Sequence, residues 1–161
     1  MEKIKRVFVD GSVNPQSKIG IGAFYLCDEI EKFDEKEIIT KKFENTSSTK
    51  LELESLLWAL KQINTKEKLL IYTDCQNIFS LLTREEKLKK SNYFTSTNKK
   101  IKNHLLYEEF FSLKELYDLE FIKVKGHKKS SLKDEVDLIF SKVDKKARKE
   151  LRNIILATIP K

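Results

Sequence analysis

Four carboxylates stand far apart in this chain, and each sits where a side chain can leave regular structure: Asp10, Glu52, Asp74 and Asp137. Asp10 follows the apolar run Ile4–Val9 and precedes Gly11 and Ser12. Asp74 follows Leu69–Thr73. Asp137 closes the acidic run Asp134, Glu135, Asp137 shortly after His127. Acids gathered at one point repel and shift one another's pKa values. A divalent cation relieves that repulsion, and all-oxygen ligation suits Mg2+ or Mn2+.

Each acid also has a purely structural explanation. Asp10 before glycine suits an Asx-type turn, and Asp74 between strand and helix suits an N-cap. Glu52 falls three residues after Thr49, the spacing of a capping box. On a helical wheel, however, Glu52 aligns with Leu56, Ala59 and Ile63, the inward stripe, whereas Glu54 aligns with Lys50 and Lys61. A carboxylate on the inward side costs free energy unless it meets a cation or several donors. Ser131 and Asp134 read as a second capping box, Glu135 as solvated, and Asp137 as an acid with no cap to make. Asp144 reads as a surface acid beside Arg148.

The elements that must carry these residues follow from hydrophobic periodicity. Ile4–Val9, Ile19–Cys27 and Glu37–Phe43 read as three strands in an antiparallel meander. Thr49–Ile63 switches to helical spacing. Leu69–Thr73 reads as a strand and Gln76–Leu82 as a short helix. Residues 84–103 are polar and lysine-rich. A helix from about Lys99 to Tyr117 is expected, with Leu105, Phe110, Leu113 and Leu116 as core candidates, then a strand at Leu119–Lys125 and a helix at Lys133–Arg152. The expected fold is α/β, a five-stranded mixed sheet with three antiparallel strands followed by parallel ones and helices on both faces. If the helix after the third strand crosses between parallel strands, Asp10 and Asp74 emerge at one edge of the sheet.

At 161 residues the chain suits one domain spanning 1–161. Lys+Arg total 32 against Asp+Glu 25, a net charge of +7 that favours a polyanionic partner. Cys27 and Cys75 form no C-x-x-C pattern, which suggests neither a zinc site nor a disulfide framework and fits a reducing cytoplasm. No apolar run is long enough for a membrane span, and the N-terminus lacks a signal-like apolar region.

The local text around the acids resembles ribonuclease H of type 1. VFVDGS at 7–12, TKLELESLLWAL at 49–60, IYTDCQNI at 71–78 and VKGH at 124–127, with Asp137 following, match that family's motifs in order. The resemblance implies that Asp10, Glu52, Asp74 and Asp137 hold two Mg2+ ions, with Mn2+ possible, and that His127 is the loop histidine assisting the attacking water or product departure. It implies cleavage of the RNA strand of an RNA/DNA hybrid, leaving 5′-phosphate and 3′-hydroxyl ends. Hybrid contacts would come from Gly11, Ser12, Asn14, Ser47, Ser48, Thr49 and Gln76, and Lys89, Lys90, Lys99 and Lys100 would belong to a basic protrusion at 84–103. Tyr93 and Phe94 are its aromatic residues, and Cys75 stands where the family has serine. The implied protein is a cytoplasmic monomer. The alternative is a non-catalytic module of the same fold that binds RNA/DNA hybrids. The apolar tail Ile154–Ile159 reads as an extension of the last helix or as a docking segment.

Replacing His127 by alanine is expected to lower turnover while metal and hybrid binding survive. Steady-state cleavage beside hybrid titration checks this, and equal turnover in His127→Ala would remove the histidine from the chemistry.

Overall fold

The computed structural model describes residues 3–125 and 134–159. Strands β1 (Ile4–Asn14), β2 (Ile19–Cys27), β3 (Ile39–Phe43), β4 (Lys68–Thr73) and β5 (Leu119–Lys123) form one sheet in the order β3-β2-β1-β4-β5. The first three pair antiparallel, and β4 and β5 add parallel to β1. Helices α1 (Ser48–Gln62), α2 (Gln76–Lys90) and α3 (His104–Leu116) share a core with one face, and α4 (Glu135–Ala157) packs on the other.

Strand alternation decides which core each side chain joins. Val7 and Val9 face α1, while Phe8 faces α4 and stacks on Tyr72 with ring centroids 4.7 Å apart. Phe8 and Tyr72 are the last register pair between β1 and β4. Two residues on, the same offset sets Asp10 against Asp74, on the same face of the sheet. Parallel β1–β4 pairing is therefore what brings these two acids together.

β1 does not stop at Asp10. It continues to Asn14 because β2 supplies partners along its length, with Asp10 opposite Ala23 and Gly11 opposite Gly22. An Asx turn at Asp10 is thereby excluded. The turn lies further on, where Asn14 Oδ1 accepts from the backbone N–H groups of Gln16 and Ser17.

Three of the chain's four glycines lie beneath the start of α1. A Cβ at Gly20 would meet Leu51 Cδ2 at 2.8 Å, and one at Gly22 would meet Ser55 Oγ at 2.5 Å. These bare strand positions let α1 lie close to the sheet, with Leu51 and Ser55 buried against them. That close approach carries Glu52 toward the sheet edge.

Other elements differ from their expected bounds for identifiable reasons. α1 begins one residue early because Ser47 is its N-cap, accepting from Lys50 N at 3.3 Å, so Thr49 and Glu52 form no capping box. α2 runs to Lys90 rather than Leu82. Its charged extension is held by buried Leu88 and by Glu85, which accepts from Lys89 and Lys114. α3 starts only at His104, after a turn containing Asn98 and Asn103 at positive φ. Leu105 and Leu116 are exposed; Phe110 is buried and Leu113 packs on the core as expected, with Tyr107 and Phe111 completing the buried face. α4 extends through Ala157. Ile154 and Ile155 pack on its core, while Leu156 and Ile159 remain exposed. Among the described residues no helix is long and apolar enough to cross a membrane.

Gly22→Ala is expected to destabilise the fold by about 1–3 kcal/mol through overpacking against Ser55. A thermal melt checks it, and an unchanged midpoint would show that α1 can shift away freely.

Candidate active site

Asp10, Gly11, Glu52, Asp74 and Asp137 line one cavity of about 330 Å3, with Lys125, Ser141, Asp144, Lys145 and Arg148 also on its wall. The strands deliver Asp10 and Asp74, α1 delivers Glu52, and the first turn of α4 delivers Asp137.

Asp74 is not the N-cap of α2. That position belongs to Cys75, whose backbone N–H donates to Thr73 Oγ1 at 3.1 Å. The Cys75 thiol turns toward α1 and donates to Glu52 Oε2 at 2.9 Å. Burial and the Glu52 carboxylate push that thiol up to about 12, so it stays a protonated donor at any working pH. Glu52 itself titrates above its usual range because burial and the charge of Asp74 outweigh the thiol hydrogen bond.

Asp137 does have a cap to make. Asp134 is the N-cap of α4, accepting from Asp137 N at 2.9 Å, and Asp137 Oδ2 accepts from Asp134 N at 3.2 Å. The capping box thus joins Asp134 to Asp137. The expected cap at Ser131, like His127, lies outside the described residues. Glu135 is exposed as expected, and Asp137 is buried.

Asp10 carries the strongest electrostatic load. Burial first, then the charge of Asp74, raise its pKa well above the ordinary carboxylate range, against a backbone hydrogen bond from Gly11. Asp144 adds to the rise, and its side chain hydrogen-bonds to Asp10. Asp144 also pairs with Arg148 at 2.8 Å, so it is more than a surface acid. Its place seven residues after Asp137, on the same helix face, is the sequence signal that points to the cavity. Glu54 is less idle than its wheel position suggests, accepting from buried Thr46 Oγ1 at 2.6 Å.

The donor set is all carboxylate oxygen, which fits a hard divalent cation. Among the described residues, no three His, Cys, Asp or Glu side chains already stand close enough together to grip one. Protein groups hold them: the Cys75 thiol holds Glu52, the Asp134 amide holds Asp137, and Gly11 and Asp144 hold Asp10. A cation in the cavity must compete with those bonds.

The other expected contact residues are distributed more widely. Gly11 lines the cavity, whereas Ser12 and Asn14 do not, and Asn14 closes the β1–β2 turn. Ser47, Ser48 and Thr49 are exposed at the start of α1. Gln76 is exposed and accepts from Lys123 Nζ. Lys89 is engaged by Glu85 and Glu115, and Lys100 donates to Asn92 O while lying over the Phe94 ring. Lys90 and Lys99 are exposed. Tyr93 is buried in the main core, leaving Phe94 as the exposed aromatic residue of the segment.

Comparison with known proteins bears on the family and the fold. The RNase H family model matches residues 2–151. The chain is 29% identical over 115 residues to the ribonuclease H of Caldicellulosiruptor saccharolyticus, covering 70% of this chain and 79% of that one. It is 29% identical over 154 residues to the ribonuclease H of Acetivibrio thermocellus, covering 93% of this chain and 100% of that one. A solved structure of the foamy viral protease-reverse transcriptase in complex with dsDNA shares the fold, with a TM-score of 0.61 at 11% identity over 89% of this chain and 92% of that one.

A carboxyl whose pKa is raised on folding favours the fold below its unfolded pKa and loses that contribution as pH rises through the folded value. The raised Asp10 pKa therefore disfavours the fold increasingly as pH rises above the unfolded value. With chelator present, Asp10→Asn is expected to raise the melting midpoint by about 2–4 °C, the shift that ~1 kcal/mol produces at this size. The gain should vanish toward pH 3. A lower midpoint at pH 7 would contradict the electrostatic account.

Proposed function

The chain belongs to the ribonuclease H family, and from that premise we propose that this enzyme hydrolyses the RNA strand of RNA/DNA hybrids with divalent metal held by Asp10, Glu52, Asp74 and Asp137. The observation that carries the reading is the β1–β4 register, which sets Asp10 against Asp74 in a cavity that Glu52 and Asp137 also line. Two Mg2+ ions are the proposed occupants, with Mn2+ an alternative. When bound, such ions lower the pKa of a water and stabilise the leaving oxygen of an in-line displacement. The resulting ends are a 5′-phosphate and a 3′-hydroxyl.

The chain's own groups then have separable tasks. Asp10 offers its carboxylate from within β1, Asp74 from the residue after β4, and Asp137 from a capped helix start. Cys75 holds Glu52 on the cavity side by a neutral thiol, which adds no charge to a crowded site. His127 is assigned to assist the attacking water or product departure. RNA is distinguished from DNA through its 2′-hydroxyls, for which Gly11, Ser12, Asn14, Ser47, Ser48, Thr49 and Gln76 are the proposed contacts. Lys89, Lys90, Lys99 and Lys100 are assigned to phosphates of the hybrid. Lys90 and Lys99 are the more accessible pair, since Lys89 and Lys100 already have partners within the fold. Residues 1–161 are proposed to act as a single, monomeric, cytoplasmic domain. Free Cys27 and Cys75 accord with a reducing compartment.

Incubation of labelled RNA/DNA hybrid, single-stranded RNA and duplex DNA with Mg2+ tests the reading. The hybrid alone should be cut, and Asp10→Asn should lower the rate by about 10²–10³-fold or more. Absence of hybrid cleavage, or full cleavage by the variant, would defeat the proposal.

A further inference from the structure

One face of α4 changes sign along its length. It begins at the cavity with Asp137, Ser141 and Asp144 and continues as Lys145, Arg148, Lys149 and Arg152. The basic four stand at positions i, i+3, i+4 and i+7, so they share a face. All four are exposed. From Asp137 to Arg152 the helix rises roughly 22 Å.

Lys145 and Arg148 belong to the wall of the catalytic cavity. They also line an adjoining groove of about 380 Å3, together with Lys149, Arg152 and Asn153. Cavity and groove therefore share a wall. Asp34 and Glu35 border the far flank of the helix near Lys145, Lys146 and Lys149.

Two ion pairs formed within α4 set the comparison. Lys146 pairs with Glu150, and Arg148 pairs with Asp144. Lys145, Lys149 and Arg152 form no ion pair among the described residues. Their neighbours one turn away are largely cations: Lys145 meets Lys149, and Arg148 meets Arg152. Each such like-charge pair works against the helix. Solvation alone does not call for this repulsive pattern, but a polyanion lying along the face would reverse its sign.

We propose that this face of α4 is a phosphate track that holds the nucleic-acid backbone where it runs beyond the catalytic cavity. The proposal rests on the hybrid-cleaving reading above and adds a second contact surface to it. Residues 84–103 share the core of the α1 side of the sheet, whereas α4 packs on the opposite face. The acids therefore stand between two basic surfaces carried by different layers of the fold. The track reads backbone charge and not base sequence.

The test compares the wild type with Lys149→Gln/Arg152→Gln, two residues that line the outer groove and not the catalytic cavity. Binding of a hybrid of about 24 base pairs, long enough to cover cavity and groove, and of one of about 6 base pairs is followed by fluorescence anisotropy in chelator over a salt series. With roughly 0.9 counterions released per phosphate contact, the slope of log K against log salt should shrink by about two units on the long hybrid and hold on the short one. Lys149→Arg/Arg152→Lys, which keeps both charges, should retain the wild-type slope. An unchanged slope on the long hybrid would overturn the track. Equal losses on both lengths would also overturn it, by making the residues part of the catalytic footprint. A wild type that cuts no hybrid would refute the functional reading while leaving the binding comparison interpretable.

Discussion

Two half-buried aspartates that face one cavity from adjacent parallel strands disfavour each other's charge unless a compensating partner is present. Asp10 and Asp74 are in that position because the Phe8–Tyr72 register continues past the last paired residues. Much of the rest of the fold serves this crowding. Bare glycines under α1 allow Glu52 to approach, and the capped start of α4 sets Asp137 at the same edge. The hydrophobic cores on either side of β1 fix both helices relative to the strands. Packing therefore holds in place a set of charges that would otherwise separate.

The protein limits the electrostatic cost with neutral or shared donors. A thiol engages Glu52, a backbone amide engages Asp137, and Asp144 shares a hydrogen bond with Asp10 while Arg148 offsets its charge. A cysteine beside Asp74 suits this arrangement, because burial and the Glu52 carboxylate keep its proton in place. None of these bonds is as strong as a carboxylate's contact with a divalent cation. They keep the side chains ordered and leave them able to change partner.

Much of this was legible in the sequence. The alternation in Ile4–Val9 and Leu69–Thr73 marked the central strands, and the inward position of Glu52 separated it from a merely solvated acid. What the sequence hid depended on distant partners. β1 runs past Asp10 only because β2 pairs with it there, which no local pattern announces. The charged second half of α2 has a single buried anchor, Leu88, and takes further support from Lys114 on another helix. Asp144 was correctly matched to Arg148, but its contact with Asp10 required knowing how α4 lies on the sheet. Leu105 and Leu116 looked like core by type, yet the register of α3 turns them outward.

The proposed metal centre of these four carboxylates is open to direct observation. A crystal structure of the protein grown with Mn2+, analysed by anomalous difference density, addresses it directly. Metal density is expected in the cavity, bounded by Asp10, Glu52, Asp74 and Asp137, with Glu52 drawn off the Cys75 thiol. Density elsewhere on the surface, or an empty cavity at saturating Mn2+ with Glu52 still on the thiol, would contradict it.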